Sequence, residues 1–410
     1  MTPPTDTGEP APSTDRVTRS AARTWLLVAG VSLISTGLAA YEISPASVTP
    51  LVQSSLGIDA ATAGLIVGVM FGTAVVTSLP AGAILDRVDS RRTVAAVVAV
   101  VVVAGVWGWV AGRQGDFRQV IASRVLGGVG YVFVWNAGID IVSRSVEPSR
   151  RATAVGIFTA SGPVGFALGQ GTGPIIAAAA GWSAVFVVFT GLAALGLVVF
   201  WPVSAGTGGT RGEPPTLSEF VAVLRTPAVW LVGSLGFLGY ALYLFVNSWG
   251  PTYLARELEL SLAISGALVA VFPAVGVLAR VSSGLLSDRL FGGRRRPLVL
   301  GSFLVAAPLL FAFPRLGTLG VLVAVLLVSG FAIQLTLGLS FTYVRELVDA
   351  NVAATAVAFQ TAVGLAGAFV APIAGGYIVD AAGFDTGFVV AAGLGALGVL
   401  IAWRAPEPTG

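Results

Sequence analysis

The chain has 410 residues, 55% of them apolar and only 10% charged, with 53 glycines, a net charge of +3 and a mean hydropathy of +0.89; soluble proteins carry about 25% charged residues. It has no Cys, no His and no Lys, so all 23 basic residues are Arg. That excludes disulfides, Cys/His zinc sites, thiol nucleophiles, imidazole bases, and Schiff-base or P-loop lysines. Asp and Glu do not cluster as a carboxylate metal site needs, and +3 is too weak for a nucleic-acid partner. The composition describes an all-α integral membrane protein with the lipid bilayer as partner, no cofactor, and no nucleophile–base pair for enzyme chemistry.

Residues 1–22 are polar, hold four prolines and read as a disordered cytoplasmic tail. Twelve stretches then reach the roughly 20 apolar residues needed to cross a ~30 Å hydrocarbon layer. They are 25–50, 60–85, 93–112, 118–142, 153–178 and 184–203, then 228–253, 262–287, 297–314, 317–344, 353–378 and 384–403. The first is too long for a cleavable signal peptide and more spans follow it. A polar stretch over 204–227 is the one candidate linker, and 405–410 is a short tail. This divides the chain into a first half, 23–203, and a second half, 228–404, of six spans each. None of the runs alternates as an outer-membrane β-strand would.

Arginine sets the orientation. With the N-terminus inside, 17 arginines fall on the cytoplasmic side, and Arg113, Arg118, Arg256 and Arg315 fall outside. The positive-inside rule therefore places both termini in the cytoplasm. Eight of the nine tryptophans, Trp249 among them, lie near span ends as an interfacial belt would; Trp135 lies inside a span.

The two halves repeat at an offset of 202 residues. Gly82, Asp86, Arg87 and Arg92 recur as Gly284, Asp288, Arg289 and Arg294. Ala152-Thr153-Ala154-Val155 recurs as Ala354-Thr355-Ala356-Val357, Gly64 as Gly266, and Gly181 with Phe186 as Gly383 with Phe388. An even number of spans per half makes the halves parallel repeats.

Two parallel six-helix halves joined in this way resemble the major facilitator superfamily of secondary transporters. The loop Gly82-Ala-Ile-Leu-Asp86-Arg87-Val-Asp89-Ser-Arg91-Arg92 is similar to that family's signature loop, with Asp89 where the family usually has glycine. The second copy, Gly284 to Arg296, is equally close, and Arg124 with Gly128 and Gly130 resembles a second family motif. The resemblance implies the twelve-helix fold and a cytoplasmic latch of Asp86, Arg87 and Arg91, mirrored by Asp288 and Arg289. It also implies that Asp140 meets Arg87 or Arg91. The alternative is that these arginines only set topology and Asp140 pairs with Arg144 at i+4. Gly165, Gly169 and Gly173-Pro174 partly resemble the family's antiporter motif; close helix packing explains the spacing equally.

Only Glu42, Arg124 and Arg280 are ionisable and deep within spans, where charge is costly and by default marks a pathway. The Asn247–Leu254 segment resembles the organophosphate:phosphate antiporter and anion–cation symporter-like branch. Where that branch clamps phosphate with two arginines, this chain has Glu42 and Tyr243. The scaffold carries over and the phosphate clamp does not. Glu42 is then a proton carrier or a counter-ion to a cation; the alternative is a hydrated carboxylate at the outer mouth. Arg124, Tyr131 and Trp135 share one helix face within about 20°, suited to an organic ligand, unless Arg124 only bonds the backbone of span 1. Ala279-Arg280 with Gly284-Leu285 looks like the span of monocarboxylate and oxalate:formate carriers whose arginine holds the carboxylate; the alternative is an arginine snorkelling to the interface. Tyr240, Tyr243 and Asn247 share a face of span 7, while Gln334 and Gln360 offer neutral polar groups or interhelical bonds.

The expected function is alternating-access transport of a small organic anion by a monomer, with a proton as coupling ion. Proton-coupled efflux of lipophilic cations is the second reading, and a non-transporting sensor the third.

Overall fold

The computed structural model describes residues 21–85, 88–207, 217–349 and 352–408. Helices dominate these residues and no strand occurs among them. In chain order they are α1 (Ala21–Ser47), α2 (Thr49–Leu56), α3 (Ala60–Leu85), α4 (Ser90–Gln114), α5 (Phe117–Ser145), α6 (Pro148–Ala180) and α7 (Ala184–Val203). There follow α8 (Leu217–Leu224), α9 (Pro227–Arg256), α10 (Leu262–Ala274), α11 (Gly276–Phe291), α12 (Arg296–Ala312), α13 (Leu319–Glu346) and α14 (Ala353–Arg404). Eleven helices among the described residues are long and apolar enough to cross a bilayer, with α10 and α11 counted as one bent helix.

The helices start and stop where local chemistry dictates. Asp89 and Asp116 accept from Arg92 N (2.9 Å) and Gln119 N (3.1 Å), capping α4 and α5, and Pro148 and Pro227 occupy first-turn positions where no N–H is needed. Asp89 thus adopts an extended backbone, φ −65°, as an N-cap. The 52-residue α14 would be about 78 Å long if straight. It is broken at Gly383, whose φ of 81° and ψ of 170° lie outside any helix. The sequence reading separated these two stretches at the same point.

In the second half, α10 and α11 meet just past Pro273, which has no N–H and pushes against the preceding turn. Gln334 of α13 donates to the carbonyls of Phe272 (3.1 Å) and Pro273 (3.2 Å) at this break. The linker region is partly helical, as α8; residues 208–216 lie outside the described residues.

Large apolar side chains cover the outside, with Val103, Val198, Leu278 and Trp403 all more than half exposed. Trp107, Trp201 and Trp230 are likewise exposed near helix ends. Trp249 corrects the expected belt. It is 1% exposed and donates from Nε1 to Pro372 O (3.0 Å), because this end of α9 lies inside the bundle.

Helices α1 and α3–α7 pack on one another, as do α9–α14. The two groups meet through α3 against α14, α6 against α10 and α11, and α1 against α9. Arg23 Nε donates to Val203 O (3.2 Å) and Tyr343 to Pro406 O (2.7 Å), so α1 begins beside the end of α7 and α13 ends beside the end of α14. We call this the terminal end and the opposite one the far end.

Candidate functional site

Between the two groups of helices, midway along them, lies a cavity. Its lining comprises Ser35, Ala39 and Glu42 of α1, Phe71 of α3, Tyr131 and Trp135 of α5, and Gly162 and Phe166 of α6, with Tyr240, Tyr243 and Leu244 of α9 and Arg280 of α11. Only about 30 Å³ is open to the centre of a water molecule, room for about two waters.

Six residues singled out from the sequence therefore converge: Glu42, Tyr131, Trp135, Tyr240, Tyr243 and Arg280. Glu42 is 1% exposed, and neither carboxylate oxygen has a hydrogen-bond partner. Arg280 reaches across to the opposite group, where a methyl placed on Gly162 would lie 3.9 Å from its Nη1 and 3.8 Å from Trp135. Its Nε is buried and unbonded. Aromatic rings form the walls. Tyr131 stacks with Trp135 (6.5 Å between centroids) and meets Phe71 edge-on (6.2 Å), while Tyr243 packs between Phe166 (5.3 Å) and Phe272 (5.7 Å).

Arg124 does not line the cavity. It is fully buried and donates to three backbone carbonyls: Ile66 (2.9 Å), Tyr41 (2.8 Å) and Glu42 (2.6 Å). The reason is in α1. Pro45 lacks the N–H that would bond Tyr41 O four residues earlier, so that carbonyl needs an outside donor. Arg124 supplies it, stacked over the Tyr41 ring at 4.5 Å. It acts as a bracket that fixes the backbone beneath Glu42.

Asn247, Gln334 and Gln360 also lie off the cavity. Asn247 Nδ2 bonds Tyr243 O within its own helix (2.8 Å), Gln334 serves the α10–α11 break, and Gln360 packs its amide against Gly236. Gln334 and Gln360 thus contact neighbouring helices, the alternative the sequence left open, whereas Asn247 bonds within its own. Ser35, Ala39, Phe71, Gly162, Phe166 and Leu244 were not singled out, because apolar and small residues carry no signal beyond core packing. Phe71 and Phe166 are legible only through their ring contacts.

At the terminal end, Asp86 and Arg87 lie outside the described residues. Arg91 turns to α7, donating to Ser204 Oγ and Trp201 O (both 2.9 Å) and stacking on Trp201 at 3.8 Å. Asp140 pairs with Arg144 (2.8 Å) and accepts from Ser90 Oγ (3.3 Å). In the second half Asp288 pairs with Arg295 (2.7 Å), which also holds Glu346 (2.8 Å), and these bonds keep the Arg295 guanidinium charged. Arg289 is exposed. Gly165, Gly169 and Gly173 all face α1, so they serve close packing.

The model of the Major Facilitator Superfamily matches residues 26–372 and 293–410. The chain is 25% identical over 381 residues to the hexuronate transporter of Bacillus subtilis, covering 88% of this chain and 89% of that protein. It is 27% identical over 385 residues to the 3-(3-hydroxy-phenyl)propionate transporter of Escherichia coli, covering 92% and 89%. Its fold matches a bacterial homologue of the human lysosomal transporter Spinster in an inward-facing, unoccupied conformation. There the TM-score is 0.78, the identity 15%, and the coverage 94% of this chain and 97% of that one.

Proposed function

Since this chain belongs to the Major Facilitator Superfamily, we propose that it carries a small organic anion across the cytoplasmic membrane by alternating access, with a proton as the coupling ion. The observation that carries this reading is the pairing of Arg280 with Glu42 in one aromatic-walled cavity where neither forms an ion pair. A guanidinium in such a place suits a carboxylate through charge-assisted bonds. The rings of Trp135, Tyr131 and Phe166 suit a flat organic body. Glu42 is the ionisable acid of the cavity, and with no His in the chain a proton has few other carriers. Both named relatives above transport organic acids, which agrees with an anion here.

The proposed topology has twelve spans, with α14 counted as two across Gly383, in halves 23–203 and 228–404 around a monomer's central site. The terminal end is the cytoplasmic face, since most arginines gather there. Asp86, Arg87, Arg91, Asp140, Asp288 and Arg289 take the latch role at the terminal end, holding that end closed when the far end opens. Arg124 enters the cycle as the support of Glu42.

The test is uptake into proteoliposomes. Arg280→Gln is expected to lower affinity for the transported carboxylate at least about thirtyfold, the effect of removing one partner of a buried charged pair. Glu42→Gln is expected to abolish accumulation driven by a pH gradient while substrate exchange continues. Transport of lipophilic cations that needs Glu42 but not Arg280 would replace the anion reading with cation efflux.

A further inference from the structure

We propose that Asp380 and Gln170 are the two clasps of a gate at the far end, each completing in the opposite half a hydrogen bond that the partner helix cannot make for itself. This goes beyond the substrate reading and does not depend on it.

The first N–H groups of a helix have no partner within it. In α3, Asp59 accepts from Thr62 N (2.7 Å), and hydrogen bonds from the Thr62 hydroxyl and N–H hold the Asp59 carboxyl below its usual pKa. Ala60 N instead donates to Oδ2 of Asp380 on α14, at 2.6 Å and 320 residues away in sequence. The Asp380 carboxylate thus stands at the positive end of the α3 dipole, supplied from the other half. In α9, Pro251 has no N–H, which leaves Asn247 O without its helical donor. Gln170 of α6 provides that donor across the interface (Nε2 to O, 2.5 Å).

The backbones around these bonds are nearly in contact. A Cβ on Gly64 would come within 2.2 Å of Pro372 O, one on Gly376 within 2.4 Å of Ala60 O, and one on Gly266 within 2.4 Å of Gln170 O. A third inter-half bond, Arg256 to Gln53 (2.8 Å), lies at the exposed rim of the same end. The inter-half hydrogen bonds between described residues are these three, and all belong to the far end. When the halves part there, water can take both partners of each clasp. The bonds therefore bias the equilibrium without locking it, as a reversible gate requires.

The absence of Cys from the chain supplies the assay. Val67 on α3 is 2% exposed and packs with the second-half core, so Val67→Cys reports on far-end opening. Ala137→Cys, fully buried in the first-half core, reports on loss of packing. Purified protein in detergent is labelled with a maleimide. Asp380→Ala and Gln170→Leu are each expected to raise the Val67→Cys rate at least about tenfold, with Asp380→Asn in between. The Ala137→Cys rate stays at its starting value. Unchanged Val67→Cys rates in all three variants would overturn the proposal. So would equal acceleration at both reporters, which would mean that these residues hold the fold together rather than gate it.

Discussion

Arg124 and Arg280 are both single guanidinium groups deep between helices, and what surrounds each one separates their roles. Arg124 donates to Tyr41, Glu42 and Ile66 carbonyls within its own half, whereas Arg280 faces the cavity with its Nε unbonded. Removing Arg124 takes a charged donor from three buried carbonyls and leaves that of Tyr41, which has no helical N–H at Pro45, without its closest partner; bonds from charged groups contribute about 1.5–3 kcal/mol each. Arg124→Ala is therefore expected to lower stability by about 3 kcal/mol or more, read as a lower apparent Tm in detergent. Arg280→Ala leaves the Tm close to its starting value and removes ligand binding. A fall in Tm for Arg280→Ala as large as that for Arg124→Ala would contradict the distinction. The sequence put Arg124 on one helix face with Tyr131 and Trp135. It said less about depth: seven residues of helix put Arg124 about 10 Å from Tyr131 along the axis, level with the Tyr41 and Glu42 carbonyls that precede Pro45. Pro45 was the available clue.

Among the elements, span limits were the most legible feature, because length and apolar content are what a bilayer selects. The readings 60–85 and 184–203 coincide with α3 and α7, and the gap at 379–383 anticipates the break at Gly383. The short α2 and α8 were missed, since eight residues carry too little pattern to stand out between apolar runs. Trp249 was misplaced because a tryptophan at a span end has the same sequence signature whether it faces lipid headgroups or the neighbouring α14. Gly64 and Gly266 were found as a repeat pair, and their use became clear only in space: each lets one half touch the other's backbone. Gly64→Ala is expected to wedge α3 away from α14 and raise far-end labelling of Val67→Cys severalfold. Gly191→Ala, on α7 with nothing within 4 Å of an added methyl, serves as the control. It is expected to leave labelling unchanged and to stabilise α7 by up to about 1 kcal/mol.

At the scale of the whole molecule, the cavity is too small in this conformation for an organic solute, so binding has to be coupled to parting of the halves. An organic acid that fits is expected to raise stability by mass action, about 2.7 kcal/mol at one hundred times its Kd, and Arg280→Gln should erase the gain. A screen of aromatic, aliphatic and sugar acids by thermal shift reads this directly. The prolines within the spans add a constraint on how such a molecule can change over generations. Pro45 with Arg124 and Pro251 with Gln170 are each a vacancy and its distant donor. Losing the proline first is mild, because the helix regains its own N–H and the donor becomes redundant. Losing the donor first strands a carbonyl in the interior. Substitution histories through these pairs should run in one direction, with the proline going before its donor.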